Sequence, residues 1–183
     1  MVFIKNTIVV NLIASPSSGK STIMADVFAK LKWAGVDCEI VTEFAKDLVW
    51  EDRQETFKDE TYIFAKQNHR LFRVNGKVDV IITDRPLILT SLYNNKYGLK
   101  SKELDDLVLS TFNSYDNLNY FIVRKKKYNP NGRNQTEKES DEIAVELLEL
   151  LKKDNIPFIK IDGTTEASDI IMSDILEKRY LRQ

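Results

Sequence analysis

The chain is poor in the residues that build cross-linked or metal-held scaffolds. Of its 183 residues, one is cysteine, Cys38, and one is histidine, His69. A lone thiol excludes an internal disulfide and leaves too few thiolates for a cysteine-based zinc site. A lone imidazole argues against a His-rich metal centre and a Ser-His-Asp hydrolase. Glycine (6) and proline (4) are scarce, and no Pro/Gly-rich linker, repeat or low-complexity tract divides the chain. Neither sign of charge dominates: 27 Lys+Arg face 28 Asp+Glu, for a formal net charge of −1. A whole-surface basic field for nucleic acid is therefore not expected. No apolar run approaches a membrane span. The opening Met1-Val2-Phe3-Ile4-Lys5-Asn6 lacks the charged head and cleavage site of a signal peptide. The expectation is a single domain over 1–183, cytoplasmic and without a membrane partner, long enough to bury a sizeable core.

What is present is an alternation of short apolar runs with longer helical stretches. Ile8-Val9-Val10-Asn11-Leu12-Ile13 reads as a buried strand, followed by a helix over Ser21 to Trp33 that Gly35 stops. Further strands are expected at 38–42, 78–83, 120–123 and 157–161. Helices are expected at 60–74, 86–93, 101–112, 141–153 and 164–179. Strand–helix alternation implies an α/β fold, a parallel sheet with helices on both faces. Ligands in such sheets bind beyond the carboxyl ends of the strands. Chemistry is therefore sought in the residues that follow each strand.

After the first strand comes Ala14-Ser15-Pro16-Ser17-Ser18-Gly19-Lys20-Ser21-Thr22. This is the GxxxxGK[ST] phosphate loop, with Ala14 in place of the first glycine. A tight loop turns backbone N–H groups inward and the following helix adds its dipole, so Ser15, Ser17, Ser18, Gly19, Lys20, Ser21 and Thr22 are the expected ATP-binding residues. Lys20 would reach the β- and γ-phosphates, and the Ser21 hydroxyl would ligate Mg²⁺. Gly19 lets the backbone approach phosphate. Asn94-Asn95-Lys96-Tyr97 lacks the aspartate of a guanine-reading Asn-Lys-x-Asp motif.

The third strand leads into Asp84-Arg85-Pro86. Asp84 can hold Mg²⁺, often through water, or cap the helix near Pro86. Arg85 can clamp an anionic or hydroxyl-bearing substrate, or form a surface ion pair. Glu43, after the second strand, can take or orient the proton of an attacking hydroxyl, or serve as a helix N-terminal carboxylate. Phe64 and Gln67 share a helix face; they can stack on and read a base, or pack in the core and face solvent. Cys38 reads as a small buried strand residue and His69 as a helix-surface or core-edge one. Trp50-Glu51-Asp52-Arg53-Gln54 can lie near the substrate or at a homodimer contact. The polar segment 124–140, with Arg124-Lys125-Lys126-Lys127 and Gly132-Arg133, has the composition of a basic lid beside a triphosphate site. Arg124 and Arg133 are its candidates for neutralising charge on a transferred phosphoryl group.

The Ser17-to-Thr22 loop, Asp84-Arg85 and the Gly132-Arg133 lid together resemble the P-loop nucleoside and nucleotide kinases. The layout is most similar to the nicotinamide riboside kinase-like group, whose small phage and bacterial members are often labelled AAA-type ATPases. Phe64-x-x-Gln67 is also similar to the base-reading helix of deoxynucleoside kinases, and Asp84-Arg85 to the Asp-Arg of thymidylate kinases. The resemblance implies a three-layer P-loop fold with sheet order 2-3-1-4-5 and ATP as phosphoryl donor. It further implies Lys20 and Arg133 as charge stabilisers, Ser21 and Asp84 on Mg²⁺, and Glu43 at the acceptor proton. The expected partner is a small nucleoside or nucleotide. Two alternatives stay open: a hydroxyl of DNA or RNA as acceptor, and an ATPase or switch acting on a protein. At 183 residues, there is no room for the extra helical lid domain of a ring-forming motor.

Overall fold

A computed structural model describes residues 5–131 and 135–181. Five strands form one sheet: β1 Ile8–Ile13, β2 Cys38–Val41, β3 Val80–Thr83, β4 Asp116–Val123 and β5 Ile159–Asp162. They are all parallel, in the order β2-β3-β1-β4-β5. The helices are α1 Lys20–Trp33, α2 Phe44–Trp50, α3 Glu60–Phe72, α4 Leu89–Lys96, α5 Lys102–Asn113, α6 Glu137–Lys153 and α7 Ala167–Tyr180, with a 3-10 helix over Gln54–Lys58.

The period-two alternation of a strand divides the core between two faces. From β1, Ile8, Val10 and Leu12 pack with Ile23, Val27 and Leu31 of α1 and Ile171 and Ile175 of α7. Val9 and Ile13 point to the opposite side, against residues from α3, α4, α5 and α6. All six β1 residues are buried, as a strand covered on both faces requires. Each aliphatic side chain so enclosed contributes roughly 1.5–3 kcal/mol of transfer free energy. Cys38 is fully buried and His69 exposed.

Several boundaries differ from expectation for physical reasons. β4 starts at Asp116, four residues before its apolar run, because its polar start is paired: Asn11 Nδ2 donates to Asn117 Oδ1 at 2.8 Å and Asn119 Oδ1 at 2.9 Å. α6 starts at Glu137 rather than 141, fixed by a reciprocal capping box between Thr136 and Glu139. α4 starts at Leu89, three residues after the expected Pro86. α2 and the 3-10 helix carry too little periodicity to be bounded from sequence, and only the helix N-terminal alternative for Glu43 points to α2. Among the described residues, no helix is long and apolar enough to cross a membrane.

Candidate functional site

The parallel sheet brings the ends of β1, β2 and β3 together, and the loops that follow them share one cavity of about 480 Å³. The phosphate loop forms one wall. Ser17 (φ 64°) and Gly19 (φ 96°) both adopt left-handed backbone, curling the chain into the kind of concavity in which N–H groups converge on an anion. Gly19 is the N-cap of α1, whose dipole adds to that field. Ala14 does not have a positive φ, so the position does not require glycine. The loop is braced internally, Ser18 Oγ donating to the Ser15 carbonyl at 2.9 Å. It is also braced from outside: Ser140 of α6 donates to the Pro16 carbonyl at 2.8 Å, and the Asn129 N–H donates to Ser17 Oγ at 2.9 Å. Lys20 Nζ folds back onto the carbonyls of Ala14 (2.8 Å) and Ser15 (3.1 Å). The Thr22 side chain lines the same cavity.

Asp84 ties the three strand ends together. Its Oδ2 accepts from Ser21 Oγ at 2.7 Å and its Oδ1 from the Glu43 N–H at 3.1 Å. The nearby α4 has Ile88, not Asp84, at its N-cap, so the capping alternative is not the one realised. A hydroxyl and a carboxylate set side by side are hard oxygen donors, a set that suits Mg²⁺ completed by water and phosphate oxygens. Among the described residues no cluster of three or more His, Cys, Asp or Glu forms a closed metal cage.

Beyond the phosphate loop the cavity wall continues to Arg85. This residue is only 4% exposed, so it is not a surface ion pair. Its Nη1 lies 3.5 Å from Glu43 Oε1, its Nη2 lies 3.6 Å from Glu60 Oε2, and its guanidinium sits 4.6 Å from the centre of the Tyr93 ring. Glu43 occupies the N-cap of α2 but makes no side-chain cap bond. Burial pushes the Glu60 carboxyl up to about 7, with Arg85 opposing and the charge of Glu43 adding to the rise. Burial likewise pushes the Tyr93 phenol up to about 12. Trp50, Phe57 and Tyr97 supply aromatic surface to the cavity.

Four of the expected site residues do not line the cavity, the buried Ser15 of the phosphate loop among them. Phe64 packs in the core below α3 and does not line the cavity. Gln67 is buried and spent on backbone: its Oε1 accepts from the Phe44 N–H at 2.9 Å and its Nε2 donates to the Thr42 carbonyl at 3.3 Å. It fixes the β2–α2 turn, because a buried amide must satisfy both its ends. Arg124 is drawn from the cavity by Glu137 (2.8 Å) and by Asp141 at the start of α6. Lys126 lines the cavity instead: a Cβ built on Gly19 would lie 3.6 Å from Lys126 Nζ. Gly132 and Arg133 fall outside the described residues. Glu60, Tyr93 and Lys126 also line the cavity and are not among the residues expected there. Lys126 was concealed within a run of four basic residues, and Glu60 behind Asp59, whose side chain caps α3.

The AAA domain family matches residues 9–167. The chain belongs to that family. No curated protein matches it. Among solved structures this AAA-domain chain resembles NadR protein in complex with NR, at 17% identity and a TM-score of 0.65, over 92% of this chain and 51% of that one. NadR protein in complex with NAD and AMP-PNP matches at 17% identity with a TM-score of 0.67, over 94% and 49%. A deoxyadenosine kinase from M. mycoides, with products dcmp and a flexible dcdp bound, matches at 17% identity with a TM-score of 0.57, over 92% and 99%. The chain spans about half the length of the NadR chains. At this identity the likeness is one of fold: a P-loop architecture with sheet order 2-3-1-4-5.

Proposed function

We propose that this protein is an ATP-dependent kinase that transfers the γ-phosphoryl group to a hydroxyl of a nucleoside or nucleoside-like small molecule. One observation carries the reading. The phosphate loop and the Ser21–Asp84 pair line one cavity together with Glu43, Glu60 and Arg85. A site built only to hydrolyse ATP needs to place a water; here Glu43, Glu60 and Arg85 add polar groups beyond the phosphate loop that suit a hydroxyl-bearing acceptor. Lys20 would leave its two carbonyls for the phosphates, and Lys126 would add positive charge from the lid side, both countering charge that develops on the transferred group. Bound at Ser21 and Asp84, Mg²⁺ would supply Lewis-acid polarisation of the phosphates. Glu43 accepts or orients the acceptor proton, and Arg85 holds its carboxylate in place. Most of the rate would come from positioning and fixed charge. Segment 124–140 is the lid, with Arg133 as its further candidate cation.

The polynucleotide alternative loses support from the lid charges. Arg124 is paired with Glu137 and Asp141, and Lys125 with Asp162 at 3.1 Å, so half of the basic run is neutralised locally. The test is a screen of nucleosides, nucleotides and oligonucleotides that detects ADP and phosphorylated product. Lys20→Ala is expected to lower turnover on the order of 10³-fold with the fold retained. Equal turnover in the two proteins, or ADP release with no phosphorylated acceptor, would refute it.

A further inference from the structure

The cavity wall includes two polar groups that lie close to each other without a hydrogen bond. Glu60 Oε2 and Arg85 Nη2 are both buried, and neither has a hydrogen-bond partner. They stand 3.6 Å apart, close enough to attract but too far to bond. Both residues line the cavity and are 4% exposed. Leaving such groups unmet costs about 1–3 kcal/mol each, so a fold that keeps them unpaired in residues of a cavity wall is arranged for something that completes them. The rest of the surroundings restrain them: Arg85 is held over Tyr93 and beside Glu43, and Glu60 sits in the first turn of α3, whose N-cap Asp59 accepts from the Tyr62 N–H at 3.0 Å.

We propose that Glu60 and Arg85 form a two-point clamp for an uncharged, hydroxyl-bearing acceptor. This deepens the kinase reading above and rests on it. A hydroxyl is both donor and acceptor. Its O–H can point at the Glu60 carboxylate while a lone pair receives Arg85 Nη2, which satisfies both orphaned atoms with one group. A phosphate in the same place fails on charge. It can accept from Arg85, but it puts its negative oxygens against Glu60 and within reach of Glu43, with one guanidinium between two carboxylates. The clamp therefore selects nucleosides and similar polyols over their monophosphates. It places a second hydroxyl of the acceptor at Glu60 while the reacting one lies nearer Glu43.

Direct binding tests this at pH 8.5, where the Glu60 carboxyl is ionised, with a non-hydrolysable ATP analogue and magnesium present, by calorimetry on matched pairs of nucleosides and 5′-monophosphates. The wild-type chain is expected to bind at least one nucleoside at least tenfold tighter than its monophosphate. Glu60→Gln is expected to weaken that nucleoside tenfold or more, and Glu60→Asp, which keeps the carboxylate but withdraws it by one methylene, to fall between. Thermal unfolding of each variant confirms folding. Tighter binding of monophosphates, unchanged nucleoside affinity in Glu60→Gln, or binding of neither class overturns the clamp. The kinase reading is scored separately, by phosphorylated product in the acceptor screen, so either idea can fail alone.

Discussion

Glu60 combines two demands that pull apart. A carboxylate in the first turn of a helix is favoured by the dipole, yet this one is buried, with its nearest cation beyond bonding distance. Burial wins and its carboxyl rises from 4.5 to about 7. The folded state then holds a proton that the unfolded chain has already released between those two values. Stability must fall as pH rises across that window and level off above about 7. The penalty from this group at alkaline pH reaches at most about 3 kcal/mol. Glu60→Gln, which cannot ionise, is expected to flatten the decline between pH 5 and 7 and to be more stable than the wild type at pH 8. Urea melts at four pH values measure this; parallel wild-type and variant curves would mean that the carboxyl titrates normally. A residue that lowers stability where the protein works is best explained by what it binds there.

Gly163, just after β5, shows how one element supports the phosphate loop of another. A Cβ there would lie 2.6 Å from the Ser18 carbonyl and 3.0 Å from the Val123 carbonyl, so the loop rests directly on its backbone. Gly163→Ala is expected to cost about 1–3 kcal/mol through overpacking and to weaken ATP-analogue affinity, because the carbonyl that must move belongs to the phosphate loop. Gly35 is the comparison. Its φ is +73° with nothing within 4 Å of a built Cβ, so Gly35→Ala costs about 1–2 kcal/mol by strain alone and should leave nucleotide affinity unchanged. Similar unfolding midpoints with different affinities are the expected result; loss of affinity in both, or neither, would count against a direct support role. Nothing in the sequence marked Gly163 for this task, since the contact joins positions 145 residues apart. The phosphate loop, Asp84 and Arg85 were legible because strand, loop chemistry and helix follow each other within a few residues. Gln67 was misjudged for the opposite reason: its helix face was right, but its partners are the backbone of Thr42 and Phe44, which only the folded β2–α2 turn brings near. The basic run after β4 was recognised as a segment, yet which cation turns inward depended on the acids at the start of α6, which claim Arg124 and leave Lys126.

The two-faced sheet separates what holds the protein together from what it binds. Ile81 is fully buried in the cluster formed with α3 to α6, and it does not line the cavity. Lys20 is part of the site, and the aliphatic cores do not depend on it. A ligand that binds only the folded state adds RT ln(1 + [L]/Kd), about 2.7 kcal/mol at a hundredfold excess over Kd. ATP analogue with magnesium should therefore raise the unfolding midpoint of the wild type by several degrees. Ile81→Ala is expected to cost about 2–5 kcal/mol and to lower the midpoint by roughly 5–20 °C, while keeping the ligand-induced rise. Lys20→Ala should show the reverse: a midpoint near the wild type and little or no rise with ligand. Differential scanning calorimetry of the three proteins with and without nucleotide decides it. If Lys20→Ala kept the full rise, the loop after β1 would not be what grips the triphosphate. If Ile81→Ala lost it, the core and the site would be one cooperative unit rather than a scaffold carrying a separable binding edge.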